Sequence, residues 1–310
     1  MSMNTHRRTL LKLSLGSLAA LALPVGSASV WAQQSGVLSL RRKVSLIDAG
    51  GSNVVACETT EGLVLVDSGT PDYASRLMDQ LGAIGNGRVH TLLNTHWHLD
   101  QCGANEAIGE SSAAIIAHQK TWHRLSTQYY LPFEERYLEP LPEKARPTVK
   151  FSGKGSLQVG DETIDYGSLV EAHTDADIYV YFRNANVLAV GGAVTPPELD
   201  PELDWYGGGW IGGRAQSLDT LVELANDDTL IVPAAGRPIN KAELSIERDM
   251  THELYARLNK LIRSGCSASC MAQEGALEGL ARTWQDPQRF LYAAYKGLWA
   301  HHYNLAPDIL

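Results

Sequence analysis

The chain has 310 residues, of which 44% are hydrophobic, and a formal net charge of −9. This length and composition are sufficient for one large domain with a buried core, and they exclude a low-complexity chain. An acidic surface without runs of lysine or arginine repels phosphate groups. We therefore do not expect nucleic acid to be a partner.

The N-terminal segment has the pattern of an export signal. Arg7 and Arg8 precede an apolar stretch from Leu13 to Val25, and Val30-Trp31-Ala32 resembles a signal peptidase site. We predict that residues 1–32 form a twin-arginine signal peptide, which would place the mature protein in the periplasm or outside the cell. The alternative is an uncleaved anchor, although a membrane span needs about 20 apolar residues. Removing this segment takes away three basic residues and no acidic ones, which leaves a formal charge of −12.

Apolar runs predict two successive sets of strands, each followed by a helix. In the first half, strands are predicted at Val44–Ile47, Val54–Cys57, Leu63–Val66 and Val89–Leu93, with a helix at Tyr73–Leu81. In the second half, strands are predicted at Leu157–Val159, Thr163–Ile164, Leu169–Ala172, Ile178–Phe182, Val187–Val190 and Leu230–Val232, with a helix at Gln216–Ala225. Helical spacing continues at Glu243–Ile262 and Phe290–Trp299. These patterns predict an α/β protein whose two mixed sheets are covered by helices.

Two histidines and a carboxylate follow one of these strands within five positions, as His96, His98 and Asp100. A His-x-His pair that leaves a strand can turn both imidazoles toward one point, and Zn²⁺ binds neutral imidazole nitrogen. The alternative is that the two side chains merely alternate across a pleat. Asp67 and His173 also fall where a metal site would need them, so the segment predicts a metal site.

These residues resemble the metallo-β-lactamase superfamily, whose signature is His-x-His-x-Asp-His followed by a distant His, Asp and His. The resemblance covers about residues 43–240, and its matching segments occur in the expected order. They are Gly62–Gly69 with its strand ending in Asp67, the motif residues His96, His98 and Asp100, the following Gly103 and Asn105, and Ala172–Asp175 with the third histidine, His173. The resemblance implies an αββα sandwich, with residues 241–310 as a helical C-terminal extension.

Three positions depart from the family pattern. Gln101 stands where the family usually has a second-site histidine, Gly192 where it has a bridging aspartate, and Ala235 where it has a last histidine. All three are ligands of a second metal. The first-site set of His96, His98 and His173 is retained, so we expect one Zn²⁺ per chain.

Three imidazoles with an open fourth position make a sufficient zinc site, since the metal can lower the pKa of water to about 7. In that arrangement Asp100 would orient the water and accept its proton, while Gln101 can only form hydrogen bonds. Asp67 resembles the family's carboxylate beneath the histidine loop, where it would support a ligand. Capping the turn at Ser68-Gly69 is an equally good interpretation of Asp67.

Two other classes of function remain open from the sequence. Loss of three ligands could leave a binding or scaffolding protein whose metal site has decayed. A mononuclear iron dioxygenase would need a carboxylate in place of Gly192 and would have to recruit Asp100 or Asp175. Splayed histidines, or a cavity filled by Trp205 or Trp210, would favour the decayed protein.

Two aromatic-rich insertions, residues 122–147 and 195–213, could line a substrate pocket or form contacts of a homodimer. If they line the site, the small-molecule substrate has an apolar part. Cys266 and Cys270 are close enough in sequence to form a disulfide if their segment is a loop. Cys102 lies near the motif, and we interpret it as packing rather than as a zinc ligand.

The function best supported by the sequence is an exported zinc hydrolase. It would attack the carbonyl of an ester, lactone, thioester or amide, with Asp100 as the catalytic base. No sequence feature identifies the substrate.

Overall fold

The computed structural model describes residues 36–132 and 134–302, with the side chain of His302 left aside. Residues 1–32, where we predict the signal peptide, lie outside this range. Fourteen strands are present in the described residues: β1 Val37–Arg41, β2 Val44–Asp48, β3 Asn53–Thr59, β4 Gly62–Val66, β5 Val89–Asn94, β6 Ala114–His118, β7 Tyr129–Leu131, β8 Arg136–Leu138, β9 Val149–Phe151, β10 Lys154–Val159, β11 Glu162–Ser168, β12 Ile178–Phe182, β13 Val187–Gly191 and β14 Leu230–Pro233.

Eight α-helices connect or follow these strands within the same residues: α1 Ala74–Gly82, α2 Leu99–Cys102, α3 Asn105–Glu110, α4 Gln119–Ser126, α5 Ile211–Leu224, α6 Lys241–Arg263, α7 Ala268–Gln273 and α8 Pro287–His302. Among the described helices, none combines the length and the apolar character that crossing a membrane would require.

The strands form two large mixed sheets. The first has the order β1-β2-β3-β4-β5-β6-β9, and its last three pairings, from β4 to β9, are parallel. The second has the order β10-β11-β12-β13-β14 and ends in a parallel pair. Strands β4, β12 and β13 are buried at every position, which explains their continuous apolar sequences. Strands β7 and β8 make a separate hairpin.

The main core lies between the two sheets. Val64 and Val66 of the first sheet belong to the same buried cluster as Val180 and Phe182 of the second. Burial of each such side chain contributes about 1.5–3 kcal/mol. The sheets therefore pack face to face.

Helices cover the outer face of each sheet. Leu77 and Leu81 of α1 pack on the first sheet, and Leu218 and Leu221 of α5 pack on the second. This four-layer arrangement confirms the predicted αββα fold. Helix α5 starts at Ile211, earlier than the predicted Gln216, and strand β1 was not predicted.

The C-terminal helices form a further packed layer, in agreement with the predicted helical extension. Asn240 and Glu243 form a capping box at the start of α6. Helices α6 and α8 pack around a cluster that includes Trp210, from the loop before α5. A disulfide joins Cys266, in the loop after α6, to Cys270 in α7. The sequence had left open whether these two cysteines are bridged.

Candidate metal centre

Two loops at the same end of the sheets bring the three predicted histidines together. His96 and His98 follow strand β5, and His173 lies in the loop between β11 and β12. The backbone N–H of Ile178, at the start of β12, donates to the Thr95 carbonyl at 3.0 Å. This bond ties the two sheets together beside the histidines.

The three imidazole rings form a nearly equilateral triangle. The centroids of His96, His98 and His173 are 4.8 Å apart in each of the three pairs. One nitrogen from each ring can be chosen so that all three atoms lie within 4.8 Å of one another. Such an arrangement allows three nitrogens to reach one ion, and the histidines are not splayed.

Three buried ring nitrogens of this triangle, on His96 and His173, have no hydrogen-bond partner in the protein. His96 is 1% exposed and His173 is 5% exposed, yet His96 Nε2 and both ring nitrogens of His173 accept and donate no hydrogen bond. A buried polar atom without a partner is costly, so an ion that binds these nitrogens would remove that cost. Burial lowers the pKa of His96 to about 3 and that of His173 well below its usual value, which keeps both rings neutral. Neutral imidazole is the form that binds metal, so these residues fit a metal such as zinc.

A hydroxyl and a carboxylate support His96 from beneath. Thr95 Oγ1 lies 3.0 Å from His96 Nδ1 and donates to Asp67 Oδ2 at 2.7 Å. The Thr95 backbone N–H donates to the other carboxylate oxygen, also at 2.7 Å. When His96 Nδ1 carries a proton, it donates that proton to Thr95, and Nε2 of His96 is left available to a metal. Asp67 thus lies where the sequence predicts it, at the end of β4 with a left-handed φ of 62°.

Burial raises the pKa of Asp67 to about 8, although both hydrogen bonds from Thr95 favour the carboxylate. A metal at the histidines would further favour the ionised form, because a nearby cation lowers the pKa of a carboxyl group.

Asp204 supports His98 in a similar way, and sequence reasoning missed it. Its Oδ2 lies 2.9 Å from His98 Nε2, and its Oδ1 accepts the backbone N–H of Gly207 at 2.8 Å. Burial opposes a charge on His98, but the hydrogen bond and the charge of Asp204 outweigh it and raise the pKa of His98. With Nε2 bonded to Asp204, the Nδ1 atom of His98 is the one left for a metal. Asp204 lies between the apolar residues Leu203 and Trp205, but nothing in the sequence connects it with His98.

Asp177 shapes the loop that carries His173. Its carboxylate accepts the backbone N–H groups of His173 and Thr174, at 2.6 and 2.8 Å, and the Thr174 hydroxyl at 2.8 Å. Asp177 is 2% exposed, and burial raises its pKa to about 6. Asp175 instead pairs with Arg124, at 3.0 Å from Nη2 to Oδ2, and does not belong to the histidine cluster.

Asp100 and Gln101 lie beside the triangle without joining it. Asp100 is exposed and accepts hydrogen bonds from Gln101 Nε2 at 3.0 Å and from Ser52 Oγ at 3.4 Å. Gln101 is fully buried, and its Oε1 atom has no partner. Gln101 therefore holds the carboxylate of Asp100 through a hydrogen bond.

Gly192 is required by the position of His173. A Cβ atom built on Gly192 would lie 1.7 Å from His173 Nδ1, so any side chain here collides with the ring. The place of the family's bridging aspartate is therefore taken by the third histidine. Ala235 lines a cavity together with Gly192 and His173, and its side chain offers no ligand atom.

A cavity of about 120 Å³ adjoins the histidines. Its lining includes His96, Asp100 and His173. Val194 and, from the second insertion, residues 195–196 and 199–200 also line it. Trp205 and Trp210 are not part of this lining. Both pack in the C-terminal cluster, where Trp210 also stacks on His301.

Two arginines with buried side chains hold the wall of this cavity: Arg214 on α5, and Arg282 in the segment after α7. Arg214 donates to the Gly192 carbonyl, Thr195 Oγ1 and Glu247 Oε1, each at 3.0 Å. Arg282 donates to the same glutamate and to the carbonyls of Thr195 and Pro196 at 2.9 Å. Because these donors lie behind the wall, helix α6 and the segment after α7 fix the position of Gly192 and Thr195.

Cys102 is a packing residue, as the sequence indicates. Its thiol donates to the His96 carbonyl at 3.2 Å, and burial raises its pKa well above the usual value. A thiol with a raised pKa is a poor metal ligand, because the thiolate is the form that binds.

The sequence matches a model of the metallo-beta-lactamase superfamily over residues 47–236. The chain therefore belongs to this superfamily, as the motifs indicate.

Two solved structures of the sec-alkylsulfatase PisA1 are similar in fold, one a double mutant and the other the enzyme from Pseudomonas sp. Their TM-scores are 0.66 and 0.62, with 16% and 15% identity, and each match covers 86% of this chain and 50% of the other. The chain thus spans about half the length of the sulfatase.

A metallo-beta-lactamase from Pontibacter korlensis has a TM-score of 0.56 and 18% identity, and the match covers 70% of this chain and 98% of that one. At such identities the likeness shows the fold alone. No curated protein matches the sequence.

Replacing Asp204 by asparagine should weaken metal binding. Asp204→Asn keeps the shape of the side chain but removes the charge that orients His98, and loss of such a partner typically costs 10- to 100-fold in affinity, so we expect a loss of about that size for zinc. Competition with a chromophoric chelator measures the affinity. Asp219→Asn is the matched control, since Asp219 bonds His252 Nε2 at 2.9 Å on the surface. Equal zinc affinity in both variants would contradict the role of Asp204.

Gly192→Ala should displace the His173 ring and abolish tight zinc binding, because the added methyl group has no space. Gly82→Ala, at the end of α1, is the control, since nothing lies within 4 Å of an added Cβ there. Zinc affinity and thermal stability are measured for both variants. A Gly192→Ala variant with full zinc affinity would show that the ring is free to move.

Proposed function

We propose that this protein is a zinc-dependent hydrolase that uses one metal ion per chain to attack a carbonyl group. The observation that carries the proposal is the triangle of buried imidazoles whose unpaired nitrogens adjoin a cavity. His96, His98 and His173 would hold the ion. When bound, zinc would lower the pKa of water to about 7 and polarise the carbonyl of the substrate.

Asp100 is the proposed general base. It is the carboxylate of the motif, it lines the cavity with His96 and His173, and Gln101 and Ser52 hold it by hydrogen bonds. In the reaction it would orient the attacking water and take its proton, and then return the proton to the leaving group.

The alternatives have less support in the geometry. A decayed binding protein would not need three converging imidazoles, two of them kept neutral by burial, beside a cavity that Trp205 and Trp210 leave open. A dioxygenase would need a carboxylate opposite His96 and His98, but Gly192 has no room for one, and Asp175 is bonded to Arg124. Of the two acids that this class could recruit, Asp100 and Asp175, Asp100 alone lines the cavity.

We further propose export through a twin-arginine signal in residues 1–32. This route carries folded proteins, which would allow the metal to be inserted before export. The substrate would be a small molecule with an apolar part, nucleic acid would not bind, and the aromatic insertions offer surface for a homodimer.

The test is hydrolysis by the mature, zinc-loaded chain across a panel of esters, lactones, thioesters and amides. His96→Ala should lose both zinc and activity. Asp100→Asn should keep its zinc and lose roughly 10²- to 10⁴-fold in kcat, because general base catalysis contributes about this much. Asp249→Asn, on the exposed face of α6, should behave as the wild type.

Full activity in Asp100→Asn would remove Asp100 from the mechanism. Failure of the zinc-loaded chain to hydrolyse any member of the panel would contradict the proposed function.

A further inference from the structure

A second cavity adjoins the one at the histidines and has unusual chemistry. It has a volume of about 270 Å³ and shares Asp200 and Glu202 with the first cavity. Among its other lining residues are Leu203, Tyr206 and Phe290. Because Asp200 and Glu202 line both cavities, the two cavities meet at these residues. We call the two cavities together the path, and its inner end is the cavity that His96 and His173 line.

The lining of this path is strongly acidic. Among the described lining residues of the two cavities, five are carboxylates and one is a cation: Asp100, Asp200, Glu202, Asp204, Asp286 and the cationic Arg289. Arg289 lies on the surface and pairs with Glu202 at 3.3 Å. A negative potential remains, which attracts cations and repels anions.

Some of these carboxylates are already used by the fold. Asp204 bonds His98, and Asp200 accepts the backbone N–H groups of Gln285 and Asp286 at 2.7–3.0 Å. Glu202 is different, since its side chain is 58% exposed and its described ion pair is with Arg289, whose side chain is 62% exposed. The charge of Glu202 is therefore the one most available to a ligand.

The two arginines behind the wall, Arg214 and Arg282, belong to the lining of neither cavity. Arg214 and Arg282 share one carboxylate, Glu247, and their donors are directed to carbonyls and to Thr195 behind the wall. A zinc ion would sit at the histidines, at the inner end of the path. A substrate whose carbonyl reached the metal would place its remaining part beside Glu202.

The apolar residues of the second cavity identify the kind of cation. Leu203 and Phe290 are nearly fully buried, and Tyr206 is half-buried. Burial, together with the charges of Asp204, Glu202 and Glu134, raises the pKa of Tyr206. Aromatic and aliphatic walls beside carboxylates suit an alkylammonium group, whereas a hydrated metal ion would gain nothing from them.

We propose that the cavity bounded by Asp200, Glu202, Tyr206 and Phe290 binds an ammonium group of the substrate, so that the enzyme selects cationic over anionic carbonyl compounds. This inference rests on the proposed hydrolase function. It concerns the part of the substrate that does not react.

Binding of simple probes tests the ammonium site without requiring hydrolysis. Choline and 3,3-dimethylbutan-1-ol have the same shape but differ in charge, and isethionate is an anion of similar size. Calorimetric titration of the zinc-loaded chain should show choline binding roughly tenfold more tightly than the neutral alcohol, and isethionate binding least. The preference should weaken as salt is added.

Two substitutions should move the preference in opposite directions. Glu202→Gln should reduce the ratio of choline to alcohol affinity by about 3- to 10-fold, and Arg289→Gln should increase it. Glu198→Gln is the control, because Glu198 is on the same loop but pairs with Arg237 outside both cavities. No measurable choline binding at millimolar concentration, or an equal ratio in Glu202→Gln and Glu198→Gln, would overturn the inference.

Hydrolysis of the matching esters separates this inference from the proposed function. The esters are acetylcholine, 3,3-dimethylbutyl acetate and 2-sulfoethyl acetate. Cleavage of all three at equal kcat/KM would overturn the ammonium site and support the hydrolase. Selective choline binding without cleavage of any carbonyl substrate would support the site and overturn the hydrolase.

Discussion

Two buried imidazoles beside a third, half-buried one have ring nitrogens that no protein group satisfies, and the surrounding structure is organised around that constraint. The outer nitrogens of His96 and His98 donate hydrogen bonds to Thr95 Oγ1 and to the Asp204 carboxylate, and Asp177 fixes the backbone of His173. The remaining nitrogens converge at a cavity. A bound cation would satisfy them, because their pairing with metal replaces the hydrogen bonds that burial has removed.

The same constraint explains why residue 192 carries no side chain that could bind a second metal. The ring of His173 lies against Gly192, where a side chain would collide with it, and the loop at Gly192 is held from behind by Arg214. Arg214 in turn depends on Glu247 of α6. A buried charge left without its partner costs several kcal/mol, so the C-terminal helices stabilise the metal site as well as the core.

The sequence was sufficient for the fold and for the three histidines, but Asp67 was the one support of the histidines that it indicated. Apolar runs predicted most strands, and the spacing of His96 and His98 is a local pattern. Asp204 lies 106 residues from His98, and Glu247 lies 33 residues from Arg214. Such pairs arise from tertiary packing, and periodicity carries no signal for them. Strand β1 was missed because no residue of Val37–Arg41 is buried, so its sequence carries neither an apolar run nor a clear alternation.

The central claim, one metal on three histidines, is tested most directly by a crystal structure of the zinc-loaded protein with anomalous data at the zinc edge. We predict a single strong peak, about 2.0–2.1 Å from one nitrogen each of His96, His98 and His173. A second peak near Asp100 and Gln101, or a peak that lies away from the three rings, would contradict the account.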